Sequence, residues 1–388
     1  MSTQSNDIIV RAGLVGQGLV GPSHFKGYQT HPNAEVVAVC DLSQERAESF
    51  AKEHGITEVY TSYDDMLNKA DINTVDIATP THLHIPMTRQ AAEAGKHIHC
   101  EKPFCRSIAE GQIAVDAVEK SGVKLVVGET YVFNTSHVKA RELIEAGEIG
   151  NPLQIRQRHG PWVRRQTEGK KPRRIGGKVW RRDPELSGGG NYTWMFGHGV
   201  HFFAAAEYFM QDQKIAQIHS VVGTHTTDGE QKSEIPLMTW TYENTDCQGV
   251  WMRAEHATNK FDPVHGFSTQ IIGEKGMIEV LGEGGHNLIW EGKQQHLILH
   301  REGKETQCFR FDEGGDDVWE SDISYYGQGH INQVHHLINS IIEDKDSDYS
   351  GEQGIHAVRC TLAAIRSADE GRPVPLKDIE DTYTAYGE

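Results

Sequence analysis

The sequence predicts an α/β protein with an N-terminal Rossmann-type, doubly wound parallel sheet, followed by a C-terminal α/β domain with a large, mostly antiparallel open sheet. Three observations predict it. Short apolar runs alternate with helical patterns through the first 130 residues, a GxGxxG follows the first run, and after about residue 150 longer stretches alternate apolar and polar residues. A length of 388 residues suffices for two packed cores. The texture change divides the chain into 1–130, expected to bind a dinucleotide, and 131–388, a second domain.

In the first domain the apolar runs Ile8–Val15, Val36–Cys40, Val75–Ala78, His97–Cys100 and Leu125–Val127 read as five buried strands. Ser43 is the expected N-cap of a helix ended by Gly55, and Pro86 suits the first turn of a helix closing at Gly95. Ser107 with Glu110 three residues later forms a capping box. In the second domain Ile155–Arg158, Ile215–Thr224, Leu237–Tyr242, Gly249–Glu255, Phe267–Ile272, Met277–Leu281, Asn287–Trp290 and Gln295–Leu299 read as strands. Helices are expected over Phe202–Met210, Ile331–Ile342 and Glu352–Ala368.

Hydrophobic residues at 37% and the lack of a run of about 18 apolar residues exclude a multi-span membrane protein. The first ten residues lack the basic and apolar regions of a secretory signal, and the six cysteines form no CxxC pair. Both point to the cytoplasm and away from a zinc module. Thirty-eight Lys and Arg stand against 55 Asp and Glu, a net charge of −17 that disfavours nucleic acid as a partner.

Gly16, Gly18 and Gly21 form the GxGxxG, and Gly16, Gln17, Gly18, Leu19, Val20 and Gly21 make the expected pyrophosphate loop. One glycine allows the tight turn, one lets the backbone approach the pyrophosphate, and one lets helix pack on strand. Asp41 follows Gly21 by 20 residues, where a carboxylate accepts hydrogen bonds from the adenosine ribose. No Arg immediately follows it, which favours NAD over NADP. The plainer reading is that Asp41 caps the helix beginning near Gln44.

At Thr79-Pro80-Thr81-His82-Leu83-His84 and Glu101-Lys102-Pro103 the sequence resembles the Gfo/Idh/MocA family, the glucose–fructose oxidoreductase and inositol dehydrogenase group. Trp180-Arg181, Gly188-Gly189-Gly190, Gly199-x-His201, Gly273–Gly276 and the Ser350-Gly351-Glu352 to Gly371-Arg372-Pro373-Val374 segment extend the resemblance over nearly the whole chain. The resemblance implies reversible hydride transfer between nicotinamide and a secondary alcohol of a sugar, polyol or glycoside, and a homo-oligomer, dimer or tetramer, built through the C-terminal sheet. It implies that Thr79, Pro80, His84, Glu101 and Lys102 lie on the cofactor's nicotinamide side. Independently, Lys102 ends a strand, where an ammonium can polarise the reacting oxygen.

The family commonly follows its glycine run with DxGxH, whose His is the acid/base partner of the Lys. Counting back from the following helix lands on His201, and counting forward from Gly190 lands on His198, three residues away and on the same helical face. His201 is the first choice and His198 the second. In the preferred register the family Asp falls on Gly197, so the usual carboxylate is absent. Satisfied buried histidines are the bland alternative, and no nearby carboxylate completes a metal set around HxxH, so no metal is expected. Tyr131, Trp180, Arg181 and Asn191 are candidate walls for a substrate.

The basic stretch Arg156–Arg182 reads as a lid gripping an anionic or aromatic group, an arm docking on another subunit, or a solvated loop. The lead reaction is oxidation at the C3 hydroxyl of a pyranose or glycoside. A redox-neutral glycosidase working by C3 oxidation and elimination is the alternative, and a non-catalytic NAD- and sugar-sensing regulator the second.

Overall fold

The structure is a computed structural model that describes residues 9–163, 179–211, 213–227, 231–256, 267–281, 288–290, 293–311 and 325–387. The chain forms two units. One comprises Met1–Thr130 with Gly329–Val358, the other Tyr131–Gln328 with Arg359–Glu388. The return of 329–358 to the first unit departs from a single division after residue 130. Its cause is hydrophobic: Val334 and Ile338 are fully buried in one core cluster with Val10, Leu14, Tyr28 and Val39.

The first unit runs β1 (Val10–Val15), α1 (Gly21–Thr30), β2 (Ala34–Cys40), α2 (Gln44–His54), β3 (Glu58–Tyr60), α3 (Tyr63–Lys69), β4 (Thr74–Ile77), α4 (Thr81–Glu93), β5 (His97–Glu101), α5 (Ile108–Ser121) and β6 (Leu125–Gly128). Its strands lie in the order β3-β2-β1-β4-β5-β6, all parallel. The order reverses between β1 and β4, the place where such sheets open a ligand crevice beyond their carboxyl ends.

The sheet has six strands rather than five. The sixth, β3, is a three-residue edge strand with only partly buried side chains, too short and too polar for an apolar run. Ser43 caps α2 through a bond from Arg46 N, and Gly55 ends it in the left-handed conformation at φ 72°. Pro86 lies inside α4 instead of in its first turn, since the helix already begins at Thr81 behind an extended Pro80. The capping box is displaced. Ser107 Oγ accepts from Glu110 N at 3.2 Å, but Glu110 Oε2 accepts from Arg106 N, one residue before the cap.

The second unit adds α6 (Thr135–Glu145), β7 (Pro152–Val163), α7 (Pro184–Ser187), α8 (Thr193–Phe209), β8 (Ile215–Thr227), β9 (Gln231–Tyr242), β10 (Gln248–His256), β11 (Phe267–Gly273), β12 (Gly276–Leu281), β13 (Leu288–Trp290), β14 (Lys293–Gln295), β15 (Leu297–Arg301) and β16 (Gln307–Phe309). Helix α9 (Tyr325–Glu343), most of which belongs to the first unit, helix α10 (Gly351–Glu370), which the division after Val358 cuts, and the short strand β17 (Val374–Pro375) follow. The large sheet has the order β16-β15-β12-β11-β7-β10-β9-β8-β17, antiparallel throughout except for the pair β7–β10.

The expected strand Gln295–Leu299 is broken at His296. Residues before it pair with β13 and residues after it with β12. Helix α8 begins nine residues earlier than Phe202. Tyr192 offers no side-chain cap, but the buried Glu234 of β9 accepts from Trp194 N at 3.0 Å and Met195 N at 2.7 Å. The cap comes from 40 residues away in sequence, where local pattern reading cannot find it.

Candidate active site

The loop between β1 and α1 carries the backbone geometry that a dinucleotide requires. Gly16 has φ +88°, and a Cβ there would sit 2.6 Å from Ala78 O, so only glycine fits. No side chain caps α1 at Val20, and no acid occupies its first turn, which leaves its positive end for an anion. Gly18 is half-buried, Leu19 is 73% exposed, Val20 is half-buried and Gly21 buried. Gln17 is tied down, its N–H donating to Asp41 Oδ2 at 3.0 Å and its side-chain amide to Leu14 O at 3.3 Å. These residues fit the pyrophosphate of NAD.

Asp41 follows the last residue of β2 and is buried. Its Oδ1 accepts from Ser43 N at 2.8 Å and Arg46 Nη2 at 2.6 Å, and its Oδ2 accepts from Gln17 N and from Arg46 Nε at 3.2 Å. Burial opposes ionisation, but the Arg46 guanidinium and the two amides hold the carboxyl below the usual range. Asp41 therefore ties the glycine loop to α2, whose N-cap is Ser43. Arg46 was not singled out from the sequence. The available signal was its place five residues on, in the first turn of a helix whose side chains lean back toward the strand end.

The two motifs at the ends of β4 and β5 meet through His84. Its Nε2 lies 2.8 Å from Thr79 O and its Nδ1 2.7 Å from Pro103 O. His84 is buried, and burial lowers its pKa against the pull of the two carbonyls. It was expected to line the nicotinamide. Its ring lies between the Thr79-Pro80 turn and the cis peptide Lys102–Pro103, each nitrogen facing one of their carbonyls. Thr79, Pro80 and Lys102 are half-buried at the sheet's carboxyl end, while Glu101 is buried and turned inward, its Oε1 3.2 Å from His24 Nε2.

In the second unit both candidate histidines lie on α8. His201 is buried and stacks on the buried Tyr131, with centroids 4.7 Å apart and planes at 20°. His198 is half-buried and stacks on Trp194 at 4.1 Å, its Nδ1 3.0 Å from Trp194 O. Sequence reading missed what stands beside them. His159 of β7 is buried against Trp194, His198 and Phe202. Burial, and then His198, Arg253 and His201, push its pKa well down, so it is a neutral imidazole. The buried Arg253 lies 3.6 Å over the Trp194 ring and donates to Glu234 O. His159 follows Ile155 and Gln157 on one face of β7, and that period-two pattern was the usable signal.

Trp180 and Arg181 form one short turn in which the guanidinium lies 4.5 Å over the indole, Trp180 half-buried and Arg181 exposed. Asn191 is exposed in the turn before α8. In that turn Gly190 has φ +55°, and a Cβ would collide with Ala385 O at 1.9 Å. Of the basic stretch, 164–178 lies outside the described residues.

Residues 10–129 match the description "Oxidoreductase family, NAD-binding Rossmann fold", and residues 141–376 match that family's "C-terminal alpha/beta domain". The uncharacterized oxidoreductase YrbE of Bacillus subtilis is 26% identical over 379 residues, 95% of this chain and 97% of that protein. The inositol 2-dehydrogenase of Salmonella typhimurium is 33% identical over 153 residues, 39% of this chain and 46% of that one, so the match spans less than half of its length. A solved levoglucosan dehydrogenase, in complex with NADH and levoglucosan, has a TM-score of 0.74 at 22% identity and covers 95% of this chain and 99% of its own. With both of its domains matched in order, the chain belongs to the Gfo/Idh/MocA oxidoreductases, NAD-dependent enzymes whose cofactor domain is its N-terminal Rossmann fold.

Proposed function

We propose that this enzyme transfers a hydride between NAD and a secondary alcohol of a sugar, polyol or glycoside, with the C3 hydroxyl of a pyranose as the lead position. The observation that supports it most is the alignment of three groups at the carboxyl ends of one parallel sheet: an uncapped helix terminus, Asp41 and Lys102. When bound, NAD supplies the hydride acceptor. The chain's residues do the rest. The α1 terminus and residues 16–21 take the pyrophosphate, Asp41 takes the ribose hydroxyls and Thr79 and Pro80 the nicotinamide end. Lys102 hydrogen-bonds the substrate oxygen and stabilises it as its proton leaves. His201 accepts that proton, its ring plane fixed by Tyr131. Trp180, Arg181 and Asn191 supply indole, guanidinium and amide groups suited to a sugar's faces and hydroxyls.

The names of the relatives support the substrate class, an inositol dehydrogenase and a levoglucosan dehydrogenase among them. A homo-oligomer is supported by a continuous apolar row on the large sheet. Val221, Leu237 and Met252 are directly paired across β8, β9 and β10 and are 60%, 49% and 43% exposed. We place the enzyme in the cytoplasm, since all six cysteines stand as thiols rather than disulfides. Among the described residues no helix is long and apolar enough to cross a membrane.

The test is a screen of hexoses, inositols and phenolic glycosides with NAD, reading NADH by fluorescence and products by mass spectrometry. One NADH per keto product supports the reading. Free sugar and aglycone released without net NADH replaces it with the redox-neutral glycosidase, in which a C3 ketone acidifies the C2 proton and drives elimination.

A further inference from the structure

Behind the strand end that carries Lys102 lies a buried polar cluster to which the proposed reaction gives no part. His24 of α1, Asp76 of β4, His99 and Glu101 of β5, and His330 and Gln333 of α9 are all between 0% and 6% exposed. All six belong to the first unit.

His24 stands between two carboxylates. Its Nδ1 is 2.8 Å from Asp76 Oδ1 and its Nε2 3.2 Å from Glu101 Oε1. A neutral imidazole has one N–H and one lone pair, and here the lone pair would face a carboxylate oxygen whichever tautomer formed. Two donors are required, which makes the ring an imidazolium. Burial works against that proton, but Asp76 and Glu101 outweigh it and push the group up to about 10.

The remaining bonds close around that ring. The Gln333 amide nitrogen donates one hydrogen to Glu101 Oε1 at 3.3 Å and the other to His330 Nδ1 at 3.4 Å. The 3.3 Å between Gln333 Nε2 and His24 Nε2 is the third side of a triangle whose apex is the Glu101 oxygen. Tyr28 Oη donates to Asp76 Oδ2 at 3.2 Å, and His99 Nδ1 lies 3.0 Å from the same oxygen. Gly128 of β6 leaves the room for this, since it pairs with Glu101 and a Cβ there would come 3.0 Å from Glu101 Oε1.

Lys102 is the next residue along the chain. A carboxylate gripped by donors from α1 and α9 fixes the backbone at Glu101, and with it the point from which the Lys102 side chain sets out. Burial opposes ionisation of Glu101, yet His24 foremost, then His330 and Lys102, hold it well below the ordinary carboxylate range.

We propose that His24 is a positioning residue for hydride transfer: its imidazolium, bonded to Asp76 on one side and Glu101 on the other, fixes the strand end from which Lys102 reaches the nicotinamide and the substrate oxygen. His24 is the fourth residue of α1, so the same ring ties the helix that receives the pyrophosphate to the strand that presents the ammonium. The inference rests on the placement of Lys102 under the proposed function, and the experiment therefore reads that placement separately.

The experiment needs no sugar. Full-length wild type, Lys102→Ala, His24→Asn and His24→Gln are titrated with NADH, reading the dissociation constant and the emission of the bound dihydronicotinamide. An Asn amide reaches only as far as Nδ1 and can serve Asp76, whereas a Gln amide reaches as far as Nε2 and can serve Glu101. His24→Asn should move the bound emission at least about half as far as Lys102→Ala does, with the dissociation constant changed by less than about threefold because residues 16–21 and Asp41 are untouched. His24→Gln should return the emission to that of wild type. Gln333→Met removes the other donor to Glu101, should move the emission the same way by a smaller amount, and decides the matter where His24→Asn does not fold.

Identical emission from wild type and Lys102→Ala removes Lys102 from the nicotinamide, and the inference with it. Emission displaced by Lys102→Ala but unmoved by His24→Asn, or by Gln333→Met in its place, leaves Lys102 standing and overturns the positioning role. Equal displacement by His24→Asn and His24→Gln overturns it too. In protein carrying ring-¹⁵N histidine, the His24 signal, identified by its loss in His24→Gln, should keep both nitrogens protonated from about pH 6 to about pH 9, and a neutral ring at about pH 8 overturns the imidazolium.

Discussion

The two units carry their chemistry in different ways. In the first, Gly16–Gly21, Asp41, Thr79-Pro80 and Glu101-Lys102 each lie at the carboxyl end of a strand, and parallel pairing brings the strand ends to one edge. In the second, His159, Trp194, Glu234 and Arg253 come from β7, α8, β9 and β10 and meet only because the large sheet pairs β10 in parallel with β7 and antiparallel with β9. A parallel sheet writes its site as short local motifs. An antiparallel sheet with a helix across it writes its site as a tertiary arrangement.

Five substitutions press on that contrast. Lys102→Ala should cost at least about a hundredfold in turnover with NAD still bound, the scale of one lost oxyanion or proton-transfer group. Steady-state kinetics with a dinucleotide titration reads it, and near-wild-type turnover would remove Lys102 from the reaction. In the second unit His201→Asn should lower kcat by roughly 10- to 100-fold, and His198→Asn by less than about threefold. The reverse ranking would move the acid/base role one helical turn toward Trp194.

Asp41→Ala should raise the KM for NAD by about tenfold and improve NADP relative to NAD, since the lost bonds involve a charged acceptor. An unchanged cofactor ratio would contradict the ribose assignment. The wild-type preference should be flat with pH across neutrality. A carboxyl depressed in the folded state contributes above its unfolded pKa and loses that contribution only as acid carries the pH down through the lowered value. Arg46→Ala should act in the opposite direction. The guanidinium occupies one lone pair on each Asp41 oxygen, and its removal should lower the KM for NAD by no more than about two- to fivefold, because Arg46 is half exposed to solvent. A raised KM would show that Arg46 contacts the dinucleotide itself.

The same contrast explains what could be read in advance. The βαβ cadence, the glycine loop, Asp41 and the Glu101-Lys102-Pro103 motif were legible because each is written in neighbours within a few tens of residues. Strand β3 was not, since an exposed three-residue edge strand buries too little to leave an apolar pattern. The early start of α8 was hidden because Glu234 caps it across the fold, and His159 was hidden because its partners lie on other elements. His84 was visible in its motif, but its local surroundings were not. Nothing local says that both of its nitrogens are spent on carbonyls from two separate turns.

One contact near α8 reaches to the far end of the chain. The carbonyl of Ala385 rests on the bare Cα of Gly190, where a single methyl group would not fit. The turn that launches the helix bearing His198 and His201 thus leans on residues more than a hundred positions downstream. Trimming the tail past its last helix, or fusing a bulky tag close behind Ala385, would disturb the launching turn and the two histidines beyond it.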